Sequence, residues 1–332
     1  MHRRTSDNSL MSAPLGEFDL IARYFTRATP RAVLGVGDDC AVLDIPAGQQ
    51  LAVSTDMLIE GRHFLADVDP DALGHKTLAV NLSDLAAMGA EPLAFTLALA
   101  LPEADPDWLE PFSAGLLRLA EAHGIELVGG DTNRGPRNLC VTVMGTVPKG
   151  RAMRRAGACV GDDLWVSGTP GDARLALGAL LGDWSLDASD LHAVRDRLER
   201  PTPRVALGMA LRDLATSAID ISDGLLGDLG HVLRGSGVGA TVEIDRVPMS
   251  PTLAAQSVER RRACQLAGGD DYELLFTAPR TARADIERLA SEAATSVARI
   301  GHIDTVQTLR LVDADGQAVE PAFSSFEHFR AP

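Results

Sequence analysis

Residues 81–90 read Asn81-Leu82-Ser83-Asp84-Leu85-Ala86-Ala87-Met88-Gly89-Ala90, the end of an apolar helix that carries one carboxylate. At helical spacing Asp84 shares a stripe with Leu73, Thr77 and Met88, a face that periodicity would bury. A buried carboxylate without a partner is costly or stays protonated, unless a cation, hydrogen-bond donors or water satisfy it. Asp84 is therefore either a hydrated residue near a helix end or one member of a cation site.

Acidic turns recur along the chain and favour the cation site. Each has an Asp beside Gly, Ser or Thr at the end of a short apolar run: Gly37-Asp38-Asp39, Ser54-Thr55-Asp56, Gly129-Gly130-Asp131, Asp220-Ile221-Ser222-Asp223-Gly224 and Gly268-Gly269-Asp270-Asp271. Any one of these turns is explained by the turn and capping preferences of Asp and Gly. If they converge, however, their carboxylates repel one another and require divalent cations.

Composition excludes some classes of protein. The formal net charge of −15 argues against a phosphate-backbone binder, which needs clustered Lys and Arg. The cysteines form no CxxC pair, so neither a zinc site nor a disulfide framework is indicated, and we expect reduced, mostly buried thiols. They are Cys40, Cys140, Cys159 and Cys264.

The polar N-terminal tail and the short length of the longest apolar run predict a cytosolic protein. Residues 1–15 are polar, with no apolar segment after Arg3 and Arg4, and read as a disordered tail rather than a signal peptide. The longest apolar run, Leu93–Leu101, is far shorter than the ~20 residues that span a bilayer. We expect a soluble, cytoplasmic protein.

Alternating helix and strand patterns predict an α/β fold with two domains. The length of 332 residues exceeds that of one usual domain, and Pro148-Lys149-Gly150 interrupts the pattern. We place the domains at 16–148 and 149–332. Strands are expected at Leu51–Ser54 and Ile125–Val128, each followed by an acidic turn.

Two segments favour phosphate binding. The turn at 222–224 lies between an expected strand and an expected helix, an arrangement that presents backbone N–H groups to an anion. Arg151-Ala152-Met153-Arg154-Arg155 is a dense basic cluster, which is either a solvated loop or a phosphate clamp.

The acidic turns supply oxygen ligands without His or Cys, a set that Mg²⁺ prefers and often shares with substrate phosphates. The sequence therefore predicts metal-assisted phosphoryl transfer or hydrolysis. It contains no P-loop, no protein-kinase motifs and no nucleophile elbow, so a nucleotide would bind through another fold.

The ordered set of motifs resembles the thiamine-monophosphate kinase family, within the aminoimidazole-ribonucleotide-synthetase-like superfamily. The resemblance runs from Gly16 to the C-terminus. It rests on 35–40, 54–56, 81–90, 129–132, 221–224 and Gly269-Asp270-Asp271-Tyr272-Glu273. It implies ATP-dependent, in-line phosphorylation of thiamine monophosphate to thiamine diphosphate with several Mg²⁺ ions.

The resemblance also implies a fold and a site. The N-terminal sheet would pair with that of a second copy in a homodimer, and a C-terminal α/β domain would cover the site. Asp84, Asp131, Arg155 and Asp223 would be catalytic. The implied metal ligands are Asp39, Ser54, Thr55, Asp56, Asp84, Asp131, Asp220 and Asp223. Gly130, Arg155 and Ser222 would contact ATP, and His63, Asp271 and Phe326 would contact thiamine phosphate.

Some residues depart from the family pattern: Asp270 replaces a usual Glu, Asn133 a common Thr, and Phe326 another aromatic.

Related enzymes acting on formylglycinamidine, selenide or carbamoyl substrates remain rivals. A selenide enzyme would carry a reactive Cys before Cys40, and a carbamoyl-dehydrating one would end in Cys, whereas this chain ends at Pro332. The acidic turns would also suit a Mg²⁺-nucleotide sensor or a simple phosphohydrolase.

Overall fold

The computed structural model describes residues 16–320, so the tail at 1–15 and Phe326 lie outside the described residues. The chain begins with a short helix, α1 (Glu17–Leu20), that continues as a π-helix at Ile21–Phe25, and a small hairpin of β1 (Ala32–Leu34) and β2 (Val42–Leu43). The N-terminal domain is then built from β3 (Gln49–Ile59), α2 (Pro70–Ala87), β4 (Glu91–Leu101), α3 (Pro106–Ala122), β5 (Glu126–Arg134) and β6 (Asn138–Pro148).

These strands form one sheet in the order β3-β6-β4-β5, in which only β4 and β5 are parallel. Helix α2 packs on the sheet and α3 packs on α2. The two helices approach closely because glycines face each other's backbones: a Cβ on Gly74 would lie 2.0 Å from the Phe112 carbonyl oxygen, and one on Gly115 2.0 Å from that of Asp71. This packing buries nearly all of α2, including Leu78 and Leu82.

The C-terminal domain has a mainly antiparallel sheet in the order β12-β9-β11-β7-β10-β8. Its strands are β7 (Asp163–Ser167), β8 (Ser217–Asp220), β9 (Gly239–Glu243), β10 (Leu274–Ala278), β11 (Val297–Asp304) and β12 (Leu309–Val312). Its helices are α4 (Asp172–Leu181), α5 (Ala188–Glu199), α6 (Val205–Leu211), α7 (Leu225–Ser236), α8 (Pro251–Ala254), α9 (Val258–Ala267) and α10 (Arg283–Glu292).

Helix α2 joins the two domains. A Cβ on Gly208 of α6 would lie 2.1 Å from the Ala86 carbonyl oxygen, so these helices are in backbone contact. One apolar core contains residues of both domains, from Leu82 in α2 to Leu207 in α6 and Phe276 in β10. Near the end of α2, the Ser83 hydroxyl donates to Asp220 Oδ2 over 2.8 Å, which brings β8 next to this helix.

Two expected turns are instead parts of strands. Strand β3 continues through Asp56 to Ile59 because all of it pairs with β6, and β5 continues through Asp131 to Arg134 because it pairs with β4. The prediction of two short strands was wrong, because the periodicity of apolar residues does not show where strands pair. The cysteines were also misjudged: Cys40 and Cys159 are exposed and Cys140 is half-buried, so only Cys264 is buried, although all are free thiols as expected.

Within residues 16–320, no helix is long and apolar enough to cross a bilayer.

Candidate active site

A cavity of about 1030 Å³ opens between the two domains, and we call it the central cavity. Its polar lining comes from β3 and the loop after it, α2, the basic segment after β6, α4, the end of β8 and two turns of the C-terminal domain. These residues are Ser54, Asp56, Arg62, His63, Asp84, Arg155, Arg174, Asp220, Ser222, Asp223, Asp270 and Tyr272. The sequence left open whether the acidic turns converge, and three of them, at 54–56, 220–224 and 268–271, meet Asp84 here from segments more than 200 positions apart.

Strand alternation decides which residues of 54–56 face the central cavity. Ser54 and Asp56 point inwards, while Thr55 is on the outer face of β3, where its hydroxyl is 2.9 Å from that of Thr142. The Ser54 hydroxyl donates to Asp84 Oδ2, and the Asn81 side-chain oxygen accepts the Asp56 amide over 3.0 Å. The side chain of Thr55 therefore lies outside the central cavity.

The carboxylates in the central cavity oppose one another's ionisation. Burial, and then the charges of Asp84 and Asp223, raise the pKa of Asp56 to about 6. Burial and the Asp84 charge raise the pKa of Asp220 to about 8. The pKa of Asp84 is also raised by burial, although the Ser54 hydroxyl and the Arg155 charge act in the opposite direction. A cation would relieve this repulsion.

Arg155 is the positive group expected near Asp84, and two backbone bonds position its segment. The Met153 amide donates to the Met88 carbonyl over 3.1 Å, and the Ala218 amide donates to the Arg154 carbonyl over 2.9 Å. The segment is thus tied both to the end of α2 and to β8. Arg155 itself is exposed, lines the central cavity and lies close enough to Asp84 for its charge to act on that carboxyl.

The turn at 222–224 differs from the sequence-based expectation. Its amides do not face an anion in the cavity, because the N–H groups of Ser222 and Asp223 both donate to Asp228 Oδ2 over 3.1 Å. Asp228 is buried in the first turn of α7, and burial and the Asp223 charge raise its pKa to about 7. Sequence reasoning missed Asp228, since a carboxylate in a first helical turn is usually an exposed partner of the helix dipole.

A second cavity of about 760 Å³ lies on the N-terminal domain. Asp39, Gly130 and Asp131 line it, together with the apolar residues Phe18 and Leu97. Asp39 and Asp131 therefore do not line the central cavity with the other predicted metal ligands. Position 130 requires glycine, because a Cβ there would lie 2.0 Å from the Leu97 carbonyl oxygen.

An apolar pocket of about 280 Å³ adjoins the central cavity and shares His63 and Asp270 with it. The buried ammonium group of Lys76 is 2.8 Å from Asp270 Oδ1 at this pocket. Asp271, by contrast, points into the C-terminal domain, where its Oδ1 accepts the Gly171 amide over 2.8 Å. Its Oδ2 has no hydrogen-bond partner among the described residues, and burial holds the pKa of Asp271 well above its usual range.

The loop that carries Asp270 is held in a strained form. Asp270 and Tyr272 have φ angles of 66° and 51°, which are unusual for residues other than glycine. The next residue, Glu273, is fully buried and accepts from Arg197, Arg204 and Ser167. Such strain persists only where the surroundings enforce it, and it is common at functional sites.

Among residues 16–320, no three His, Cys, Asp or Glu side chains are close enough together to hold a metal ion. The oxygen donors of the central cavity fit Mg²⁺ all the same, since that ion keeps several waters and takes one or two carboxylates plus substrate phosphates. Burial, and then the charges of neighbouring carboxylates, raise the pKa values of Asp56 and Asp220, and a bound cation would act in the opposite direction.

Family comparisons match both domains. The family model described as AIR synthase related protein, N-terminal domain, matches residues 37–147, and that of the C-terminal domain matches residues 160–314. The chain is 45% identical to the thiamine-monophosphate kinase of Salmonella typhimurium over 96% of this chain and 99% of the relative.

Solved structures agree with this similarity. A thiamine-monophosphate kinase from Stenotrophomonas maltophilia K279a is 47% identical, with a TM-score of 0.82 over 90% of this chain and 95% of the other. The structure described as AaThiL complexed with AMPPCP and TMP is 31% identical, with a TM-score of 0.74 over 86% of this chain and 89% of the other.

Proposed function

Because the chain belongs to the thiamine-monophosphate kinase family of AIR synthase related proteins, we propose that it transfers the γ-phosphate of ATP directly to thiamine monophosphate. The products are thiamine diphosphate and ADP. The observation that carries the proposal is the central cavity, where five buried or half-buried carboxylates and three guanidinium groups line the walls beside an apolar pocket. Two anionic substrates can enter such a cavity only with compensating positive charge.

Asp56, Asp84, Asp220 and Asp223, with the Ser54 hydroxyl, would hold the Mg²⁺ ions of the central cavity. When bound, Mg²⁺ neutralises phosphate charge and aligns the reacting groups. Arg155, whose charge acts on Asp84, would bind phosphate oxygens, and Ser222, which lines the same cavity, would contact ATP. Asp39, Gly130 and Asp131 would act on ATP and its metal ions from the second cavity.

The acceptor is itself a phosphate, which is largely deprotonated near neutral pH, so the reaction needs little general-base help. The chain's own residues then mainly align the two substrates and offset charge. The rings of thiamine monophosphate would occupy the apolar pocket, with His63 and Asp270 at its entrance. Phe326 remains a predicted stacking partner. Asp271, whose side chain accepts the Gly171 amide, would stabilise the loop that carries Asp270.

The direct test is turnover with purified protein, ATP, Mg²⁺ and thiamine monophosphate, with thiamine diphosphate followed by chromatography. We expect one thiamine diphosphate for each ADP, and no ADP without an acceptor. ADP released without thiamine diphosphate would indicate a phosphohydrolase. ATP binding without turnover would indicate a sensor, and either result would overturn the proposal.

We also propose a homodimer. The outer face of β3 exposes an apolar stripe that includes Leu51 and Val53, and β3 is an edge strand of its sheet. Edge strands that expose apolar residues are normally covered by another element or another chain. A second copy related by a twofold axis would cover both stripes at once.

The variant Val53→Glu is expected to convert the dimer into monomers. The glutamate would place an unpaired charge in a contact that excludes water. This would cost about 3 kcal/mol or more, which corresponds to a roughly 100-fold weaker dimer. Light scattering after size exclusion measures the mass. Val258→Glu, at a similarly exposed valine of α9, is the matched control and should leave the mass unchanged. An unchanged mass for Val53→Glu would refute this interface.

We propose that this reaction takes place in the cytoplasm.

A further inference from the structure

The turn at 222–224 is bonded to protein on both sides. On one side, the amides of Ser222 and Asp223 donate to the carboxylate of Asp228, which is 3% exposed. On the other side, the carbonyl oxygens of Ile221 and Ser222 accept the amides of Tyr272 and Asp270 over 2.8 and 2.9 Å. The backbone polar groups of this turn are thus largely used within the protein, and its side chains remain to face the central cavity.

This arrangement reverses the usual polarity of a strand–turn–helix junction. Such a junction normally directs free amides at an anionic ligand. Here the Asp228 carboxylate occupies the place of that anion inside the protein. The central cavity instead receives the carboxylate of Asp223 and the hydroxyl of Ser222, next to Asp220. The junction is therefore a cation-facing one, and a phosphate can approach it only through bound cations.

The same turn carries the strained loop of the apolar pocket. A Cβ on Gly269 would lie 2.4 Å from the Ser222 carbonyl oxygen, so the two backbones are in direct contact. The Ile221 amide also donates to the Glu273 carbonyl over 2.8 Å. A rotation of the 222–223 peptide groups would break bonds to Asp228 and to the Asp270 loop together.

We propose that Asp228 is a positioning residue that binds the amides of Ser222 and Asp223 and so directs the Asp220 and Asp223 carboxylates at Mg²⁺. Asp228 does not line the central cavity, and its effect passes through the turn. The inference rests on the proposed use of Mg²⁺–ATP. It does not depend on thiamine monophosphate as the acceptor.

Three proteins test this role: Asp228→Ala, Asp228→Asn and the control Asp162→Asn. Asn keeps an oxygen that can accept both amides, whereas Ala releases them. Asp162 is a comparably buried carboxylate that accepts the Cys159 amide over 2.9 Å and does not line the central cavity. Calorimetry measures Mg²⁺ binding in the presence of a non-hydrolysable ATP analogue, and melting temperatures report folding.

We expect Asp228→Ala to weaken Mg²⁺ binding by about 10- to 100-fold, the usual effect of losing a group that orients metal ligands. Asp228→Asn should stay within about threefold of the parent, and Asp162→Asn should equal it. In EDTA, Asp228→Ala should bind the metal-free nucleotide as tightly as the parent does, because Asp228 does not line the central cavity. A general loss of structure would instead weaken Mg²⁺ binding and nucleotide binding together.

Parent-like Mg²⁺ binding by a folded Asp228→Ala would overturn the proposal, and so would a defect in Asp228→Asn as large as that of Ala. If Asp228→Ala does not fold, Asp228→Glu replaces it, since its acceptor is displaced by one methylene. Equal Mg²⁺ binding by Asp228→Glu and the parent would then overturn the proposal. Because no acceptor is present, a wrong substrate assignment would leave these binding results unchanged.

Discussion

Asp84→Asn is expected to lower kcat for thiamine diphosphate formation roughly 100- to 1,000-fold, the range found when one charge-stabilising group is removed from an active site. Asp84 accepts a hydrogen bond from Ser54, and the charge of Arg155 acts on its pKa. The charge of Asp84 in turn raises the pKa of both Asp56 and Asp220. Asp84 is therefore the common neighbour of the carboxylates in the central cavity. Asparagine keeps its size and one oxygen but removes the negative charge that would hold a cation there.

The same substitution should not destabilise the metal-free protein. It removes a like charge next to Asp56 and Asp220, so the melting temperature in EDTA should be unchanged or higher. Asp196→Asn, at an exposed position of α5, is the control for loss of one carboxylate and should affect neither property. If Asp84→Asn retains activity, or loses activity only because it unfolds, Asp84 is not part of the reacting centre.

The sequence predicted most helices and the buried strands because their patterns are set locally. Helix α2 begins with Pro70 after the cap Asp69, and its apolar run ends at Ala87, before Gly89. The apolar runs alone left open whether Asp56, Asp84, Asp220 and Asp223 converge, and the family resemblance implied it by assigning all four to metal binding; the structure brings them to one cavity. The continuation of the strands through Asp56 and Asp131 was not predicted, because it depends on partner strands far along the chain.

Side-chain direction was the other limit of the sequence. Asp270 and Asp271 are neighbours, yet only Asp270 lines the central cavity, and the left-handed backbone at Asp270 decides this. The pairing of Lys76 in α2 with Asp270 across the two domains also depends on the fold. Asp228 likewise reads as a helix-start residue until the amides of the preceding turn are seen to point at it.

Between pH 6.5 and 8.5, the metal-free protein is expected to lose thermal stability as the pH rises. The folded pKa values of Asp220 and Asp228 are about 8 and about 7, above the ordinary value of 3.8. In this range the folded state therefore binds more protons than the unfolded state, and stability falls until the pH exceeds the folded pKa values. The lowered pKa values of His75, His123 and His231 give the opposite slope, but only below about pH 6.5.

Mg²⁺ should cancel this loss, because a cation stabilises the ionised carboxylates. At concentrations well above its dissociation constant, we expect an increase in melting temperature of about 5 to 10 °C at pH 8.5 and a smaller one at pH 6.5. Of Asp220 and Asp228, Asp220 has the pKa that is raised further. Asp220→Asn removes this group, so the melting temperature of the variant in EDTA should vary less with pH. It should also gain less from Mg²⁺, whereas Asp196→Asn should follow the parent in both respects. A melting temperature that rises with pH in EDTA, or an equal gain from Mg²⁺ at both pH values, would contradict the charge repulsion on which the proposed metal site depends.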